Sequence, residues 1–130
     1  NLNKVHFYWS NRDRHAFEWF IDLLSDLESK SSSDFLEINI YLTSALSPDQ
    51  IKAVMIAGDD APDQVTGLEA RTNYHRPKIP QIFQQQEQRY KGEKIGVFFC
   101  GPPIFSKKLN EAAIKYTRNG TKFVYHKENF

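Results

Sequence analysis

The side chains best able to do chemistry stand where the chain turns. Arg12 lies in SNRDR, Arg76 lies in YHRP directly before Pro77, and Cys100, the one cysteine, ends the apolar run of GVFFCGPP at residues 96–103. A guanidinium can hold a phosphate through two charge-assisted hydrogen bonds, which are stronger than neutral ones. Arg12 reads either as such a grip or as a surface arginine near a helix start. Arg76 is biased toward extended backbone by the proline that follows it. A cysteine nucleophile needs an activating base, and the sequence places none beside Cys100. That leaves two readings for Cys100: a small polarisable surface against an aromatic ring, or a plain core cysteine. Gly101 permits a close approach or an unusual turn, and Pro103 suits the first turn of a helix. His6, His15 and His126 are too scattered to suggest a metal site, and His75 reads as an exposed loop residue.

The elements around these residues follow from periodicity. Val5, Phe7 and Trp9 alternate with His6 and Tyr8, a short strand with two largely apolar faces that should be interior. Ala16, Phe17, Phe20, Leu23, Leu24 and Leu27 recur at helical spacing up to Lys30, and the KSSSD that follows is a surface turn. Trp9 and Trp19 are expected in the core. Leu36, Ile38, Ile40 and Leu42 alternate with more polar residues, a strand expected toward a sheet edge. Ser47, Pro48 and Gln50 have the chemistry of a capped helix start, and the acidic residues 58–64 read as a loop. A Gln-rich helix with Ile82 and Phe83 stops at Gly92, and KIGVFFC makes a strand expected at the centre of a sheet. Phe105, Leu109, Ala112, Ala113 and Tyr116 mark a further helix, Asn119-Gly120 ends it, and residues 123–126 form a last strand.

Strands alternating with helices predict an α/β fold, a parallel sheet with helices on both faces. Ligands of such sheets bind outside the carboxyl ends of the strands, which directs attention to residues 10–13, 43–45 and 100–103. No GxGxxG or P-loop occurs, so either this is not a nucleotide domain or its first strand and glycine-rich loop lie outside the chain. The 130 residues suit one globular domain, and 14% aromatic content argues against disorder. A formal charge of +1, from 17 basic and 16 acidic residues, excludes a broad basic field for nucleic acid. A single cysteine forms no internal disulfide, and no apolar run approaches the roughly 18 residues of a membrane span.

Several blocks occur together in one order: FYWSNRDRHAFEWF, INIYLTSAL, VTGL with RTNYHRP, VFFCGPP and the terminal HKENF. In this order they resemble the carboxyl-terminal NADPH-binding part of NADPH oxidases, and YLTSAL is most similar to the calcium-regulated branch with EF-hand domains. The resemblance implies a ferredoxin-NADP reductase-like lobe that takes NADPH and passes its hydride to FAD, whence electrons cross membrane haems to oxygen and make superoxide or hydrogen peroxide. Residues 1–130 would then be part of the NADPH-binding subdomain of a larger membrane oxidoreductase, a soluble segment at the cytosolic face. Its partners would be the flavin-binding barrel and haem-bearing transmembrane domain of the same protein, with a regulatory domain or subunit. The alternatives are a ferric-chelate reductase lobe and a non-catalytic nucleotide-binding or interaction module.

The resemblance also assigns roles. Arg12 would hold the 2′-phosphate, Thr43 would also bind the cofactor, and Arg76 would be a second cation near the adenosine phosphates, although the family usually has Gly where His75 stands. Cys100, Gly101 and Pro102 would border the nicotinamide. Phe130 would stack on the flavin until nicotinamide displaces it, and Glu128 would adjust charge or hydrogen bonding near the rings.

Overall fold

The computed structural model describes residues 1–13, 15–32, 34–44, 46–56 and 72–128, the side chains of residues 17, 18 and 54 aside. The expected loop at residues 58–64 and the VTGL block lie outside the described residues. The chain divides into two compact units, Asn1–Pro77 and Lys78–Phe130.

The first unit is a three-stranded parallel sheet in the order β1 (Val5–Asn11), β2 (Leu36–Leu42), β3 (Thr72–Asn73), with α1 (His15–Lys30) and α2 (Pro48–Ile56) in the connections. Val5 pairs with Leu36 and Asn11 with Leu42, so Val5, Phe7 and Trp9 share a face with Leu36, Ile38 and Ile40. Leu24 of α1 is buried on that face with Ile38, Ile40 and Leu42, and Trp9, Phe20 and Ile21 pack around them. Asp13 starts α1, its Oδ1 accepting the His15 N–H at 2.9 Å. At α2 the capping box forms in both directions: the Gln50 N–H donates to Ser47 Oγ at 3.3 Å, and the Ser47 N–H donates to Gln50 Oε1 at 2.8 Å.

Three expectations change here. Among the described residues the strand at 36–42 is the middle of the three and the strand beginning at Val5 pairs with it alone, the reverse of the reading from polarity. Glu37 of β2 is partnered, meeting Lys4 and His6 of the β1 segment, and Tyr41 is buried, whereas Asn39 Nδ2 is buried without a hydrogen-bond partner among the described residues. Helix α1 covers one sheet face, so only a narrow arc of its surface is shielded. Phe20, Ile21 and Leu24 fill that arc, while Leu23 and Leu27 flank it, partly exposed. Trp19 is 73% exposed, with ring contacts to Trp9 and Phe20.

The second unit runs α3 (Ile79–Arg89), β4 (Lys94–Phe99), α4 (Pro103–Tyr116), β5 (Lys122–Lys127), with β4 and β5 parallel. Its core joins Ile79 and Phe83 of α3, Ala112, Ala113 and Tyr116 of α4, and Phe123 of β5, with Ile95 and Val97 packed against them. Strand β4, which the apolar run puts at the centre of a sheet, pairs in the described ladder with β5 alone, and Phe98 is 70% exposed. An apolar run does not say that both faces are covered, and here α3 and α4 close over the same one. The Asn-Gly turn is as the sequence suggests, with φ of 53° at Asn119 and 84° at Gly120.

Candidate functional site

All three strands of the first unit deliver their carboxyl ends to one edge, as parallel pairing requires. β1 hands over to Arg12, β2 to Thr43, and β3 to Tyr74, His75 and Arg76. Thr43 prolongs the ladder: its N–H donates to the Asn11 carbonyl at 2.9 Å, and its hydroxyl donates to the same oxygen at 3.3 Å. Thr43 is thus fixed beside the loop that carries Arg12. That loop is an Asx turn, with the Asp13 N–H on Asn11 Oδ1 at 3.0 Å. Asp13 Oδ1 accepts from the helix start, and among the described residues Asp13 makes no ion pair with Arg12.

Arg12 and Arg76 are both exposed, and among the described residues neither guanidinium has a hydrogen-bond or ion-pair partner. Two unpaired guanidinium groups at one sheet edge are an anion-accepting arrangement, and a phosphate suits their planar donors. His75 belongs to the same loop, its Nδ1 2.8 Å from the Arg76 carbonyl and its ring edge-on to Tyr41 with 5.7 Å between centroids. Burial raises the pKa of Tyr41, which therefore contributes no charge to this edge near neutral pH.

The second unit presents a chemically different edge. Beyond β4 come Cys100, Gly101 and Pro102, all exposed, and the Glu128 N–H donates to the Phe99 carbonyl at 3.2 Å, which sets Glu128 beside the end of β4. A Cβ on Gly101 would stand 2.7 Å from Phe99 Cζ, so the chain can pass over the ring here only without a side chain. Pro102 is the N-cap of α4 and Pro103 follows it; Phe105 and Ser106 both donate to the Pro102 carbonyl. Two prolines and these bonds leave Ile104 with the free N–H of the first turn, so this helix start is a poor phosphate cradle. What it offers is an apolar, polarisable border suited to a ring. Phe130 lies outside the described residues.

The chain therefore groups Arg12, Thr43 and Arg76 at one edge, and Cys100, Gly101, Pro102 and Glu128 at another. Sequence reasoning missed Asn11, whose Oδ1 and carbonyl organise the Arg12 loop, although the SN-R-D pattern of an Asx turn was there to be seen. It also missed Glu87, a buried carboxylate that accepts from Asn119 Nδ2 at 3.0 Å and lies 3.3 Å from an Arg118 nitrogen. No local signal announces that contact, because its partners follow some thirty residues later.

Residues 1–114 match the family described as the ferric reductase NAD binding domain. The chain is 48% identical over 130 residues to a superoxide-generating NADPH oxidase heavy chain of Dictyostelium discoideum, covering 99% of this chain and 25% of that protein. It is 42% identical to NADPH oxidase 3 of Rattus norvegicus, with 99% and 24% covered, and 38% identical to human NADPH oxidase 5, with 99% and 18% covered. The chain spans about a quarter or less of the length of these curated relatives.

Proposed function

Because the chain belongs to the ferric reductase NAD-binding domain family, as the NADPH-binding lobe of its NADPH oxidase members, we propose that it binds NADPH and positions it for hydride transfer to FAD. The observation that carries this reading is the pair of guanidinium groups, Arg12 and Arg76, at the carboxyl edge of one parallel sheet, neither with a partner among the described residues. Arg12 takes the 2′-phosphate, the group that distinguishes NADPH from NADH, and Thr43 keeps the Arg12 loop in place from the neighbouring strand. Arg76 takes a phosphate common to both nucleotides. Cys100, Gly101 and Pro102 border the nicotinamide ring, for which an apolar edge short of N–H donors is suited. Phe130 and Glu128 belong to the same border, Phe130 as the aromatic ring that yields to nicotinamide and Glu128 as an acceptor beside it.

The hydride chemistry is supplied by the dinucleotide and the flavin when bound; this chain's part is to bind and orient. In the whole protein the electrons continue from FAD through membrane haems to oxygen, and the flavin barrel and haem-bearing segment are the partners of this lobe. No helix among the described residues is long and apolar enough to cross a membrane. The family's description favours one second reading, in which the acceptor is a ferric chelate rather than oxygen.

A salt titration tests the binding site. Exposed charges are screened over about 8 Å at physiological ionic strength. NADPH affinity of the whole protein should fall with added salt more steeply than NADH affinity, and Arg12→Ala with Arg76→Ala should remove most of the difference. Equal salt dependence for both nucleotides, in wild type and double variant alike, would overturn the reading.

A further inference from the structure

The loop after β3 contains a group that the two arginines do not account for. A carbonyl oxygen can only accept, so the 2.8 Å contact between His75 Nδ1 and the Arg76 carbonyl places a proton on Nδ1. The edge-on contact with Tyr41 holds the ring from the β2 side. With those two contacts made, Nε2 is the remaining ring nitrogen; His75 is exposed, and among the described residues Nε2 has no hydrogen-bond partner. A bare Nε2 is an acceptor and of no use to a phosphate. A second proton turns it into a charged donor at the edge that already presents Arg12 and Arg76.

We propose that His75 is a further specificity-determining residue of this edge, its imidazolium Nε2–H donating to the nucleotide's 2′-phosphate, so that NADPH binding takes up a proton from solvent. The inference rests on the reading that this edge accepts NADPH. The 2′-phosphate is the more fitting partner because a phosphate monoester carries close to two negative charges near neutral pH, against about one on each bridging phosphate. A dianion beside an imidazole favours its protonated form. Among the described residues, the titratable and charged groups that face His75 or share its sheet edge are Tyr41 on β2, Arg76 in its own loop and Arg12 at the end of β1. The arginines hold their charge throughout the range of interest, and burial keeps Tyr41 neutral there.

The test uses the whole protein, wild type beside His75→Gln, with NADPH and NADH binding measured by calorimetry at about pH 6 and about pH 8, on either side of the interval in which imidazoles change charge. The 2′-phosphate itself also loses a proton near pH 6, but it does so for both proteins, and their difference removes it. Wild type should exceed the variant in NADPH affinity at the lower pH by about twofold to fivefold, the size of an exposed charge pair. The advantage should vanish at the higher pH, and NADH should show none of it. In buffers of different ionisation enthalpy, wild type should take up more protons on binding NADPH than His75→Gln does. An unchanged proton uptake in His75→Gln, or a loss shared equally by NADH, overturns the role of His75. Arg12→Ala separates the two levels: selectivity lost there but intact in His75→Gln sinks this inference alone, whereas selectivity intact in both variants sinks the reading of the edge as well.

Discussion

Replacing Gly101 by alanine probes the border of the second edge. The added Cβ would meet three atoms of one ring, at 2.7, 3.2 and 3.4 Å from Phe99 Cζ, Cε2 and Cε1. Phe99 cannot swing away freely, because its ring packs against Phe105 with 5.5 Å between centroids. Overpacking of this kind costs about 1 to 3 kcal/mol. For a unit of this size that corresponds to a fall in Tm of roughly 4 to 8 °C per kcal/mol. The assay is thermal unfolding of four proteins: wild type, Gly101→Ala, Phe99→Ala and the double variant. Truncating Phe99 removes the ring that the new Cβ would strike, so the penalty of Gly101→Ala should shrink in that background by about 1 kcal/mol or more, leaving the cost of the backbone angle, a φ of 158°. The same penalty with and without the Phe99 ring would refute the steric account.

Further expectations follow from the two cores and from Glu87. Leu24 is 1% exposed among Ile38, Ile40 and Leu42, so Leu24→Ala should destabilise by about 2 to 5 kcal/mol, read from denaturant unfolding; a loss below about 1 kcal/mol would mean that α1 does not close that face. Ser47→Ala removes the side-chain half of the capping box and should cost about 1 kcal/mol, while Ser47→Asp should cost much less. The hydrogen bond from Asn119 lowers the pKa of Glu87, burial acts the other way, and Arg118 adds to the lowering. Its carboxylate therefore stabilises the fold above the ordinary glutamate range, and that contribution is lost as pH falls through the depressed value. Glu87→Gln should be less stable than wild type at neutral pH, and the gap between their Tm values should shrink between about pH 5 and pH 3; a gap independent of pH would contradict this. Cys100→Ser should leave the fold intact and retain flavin reduction by NADPH in the whole protein, and a folded but inactive serine variant would defeat its role as a passive wall.

What could be read from the sequence was what is encoded locally. Ser47 and Gln50 lie three residues apart and cap each other, and the Asn119-Gly120 turn needs only its own backbone angles. Sheet order is not local. Glu37 and Asn39 gave β2 the pattern of a half-exposed strand, yet its neighbours β1 and β3 flank it on both sides, and the β1 segment supplies Lys4 and His6 to Glu37. The same gap explains α1: helical spacing groups Leu23 with Leu24, but which residue meets the sheet depends on how the helix is rotated against β2, and Leu24 is the buried one. At the candidate site the arginines were visible because charge beside a strand end is a short-range pattern. The grip of Asn11 on Thr43 was not, since it joins residues 32 positions apart.

The central claim is that Arg12 recognises the phosphate that NADH lacks, and the NADPH and NADH affinities of the whole protein with and without Arg12→Ala test it most directly. A hydrogen bond to a charged group contributes about 1.5 to 3 kcal/mol, so Arg12→Ala should weaken NADPH roughly ten- to hundredfold while NADH changes little. A loss of the same size for both nucleotides, or for neither, would contradict the account.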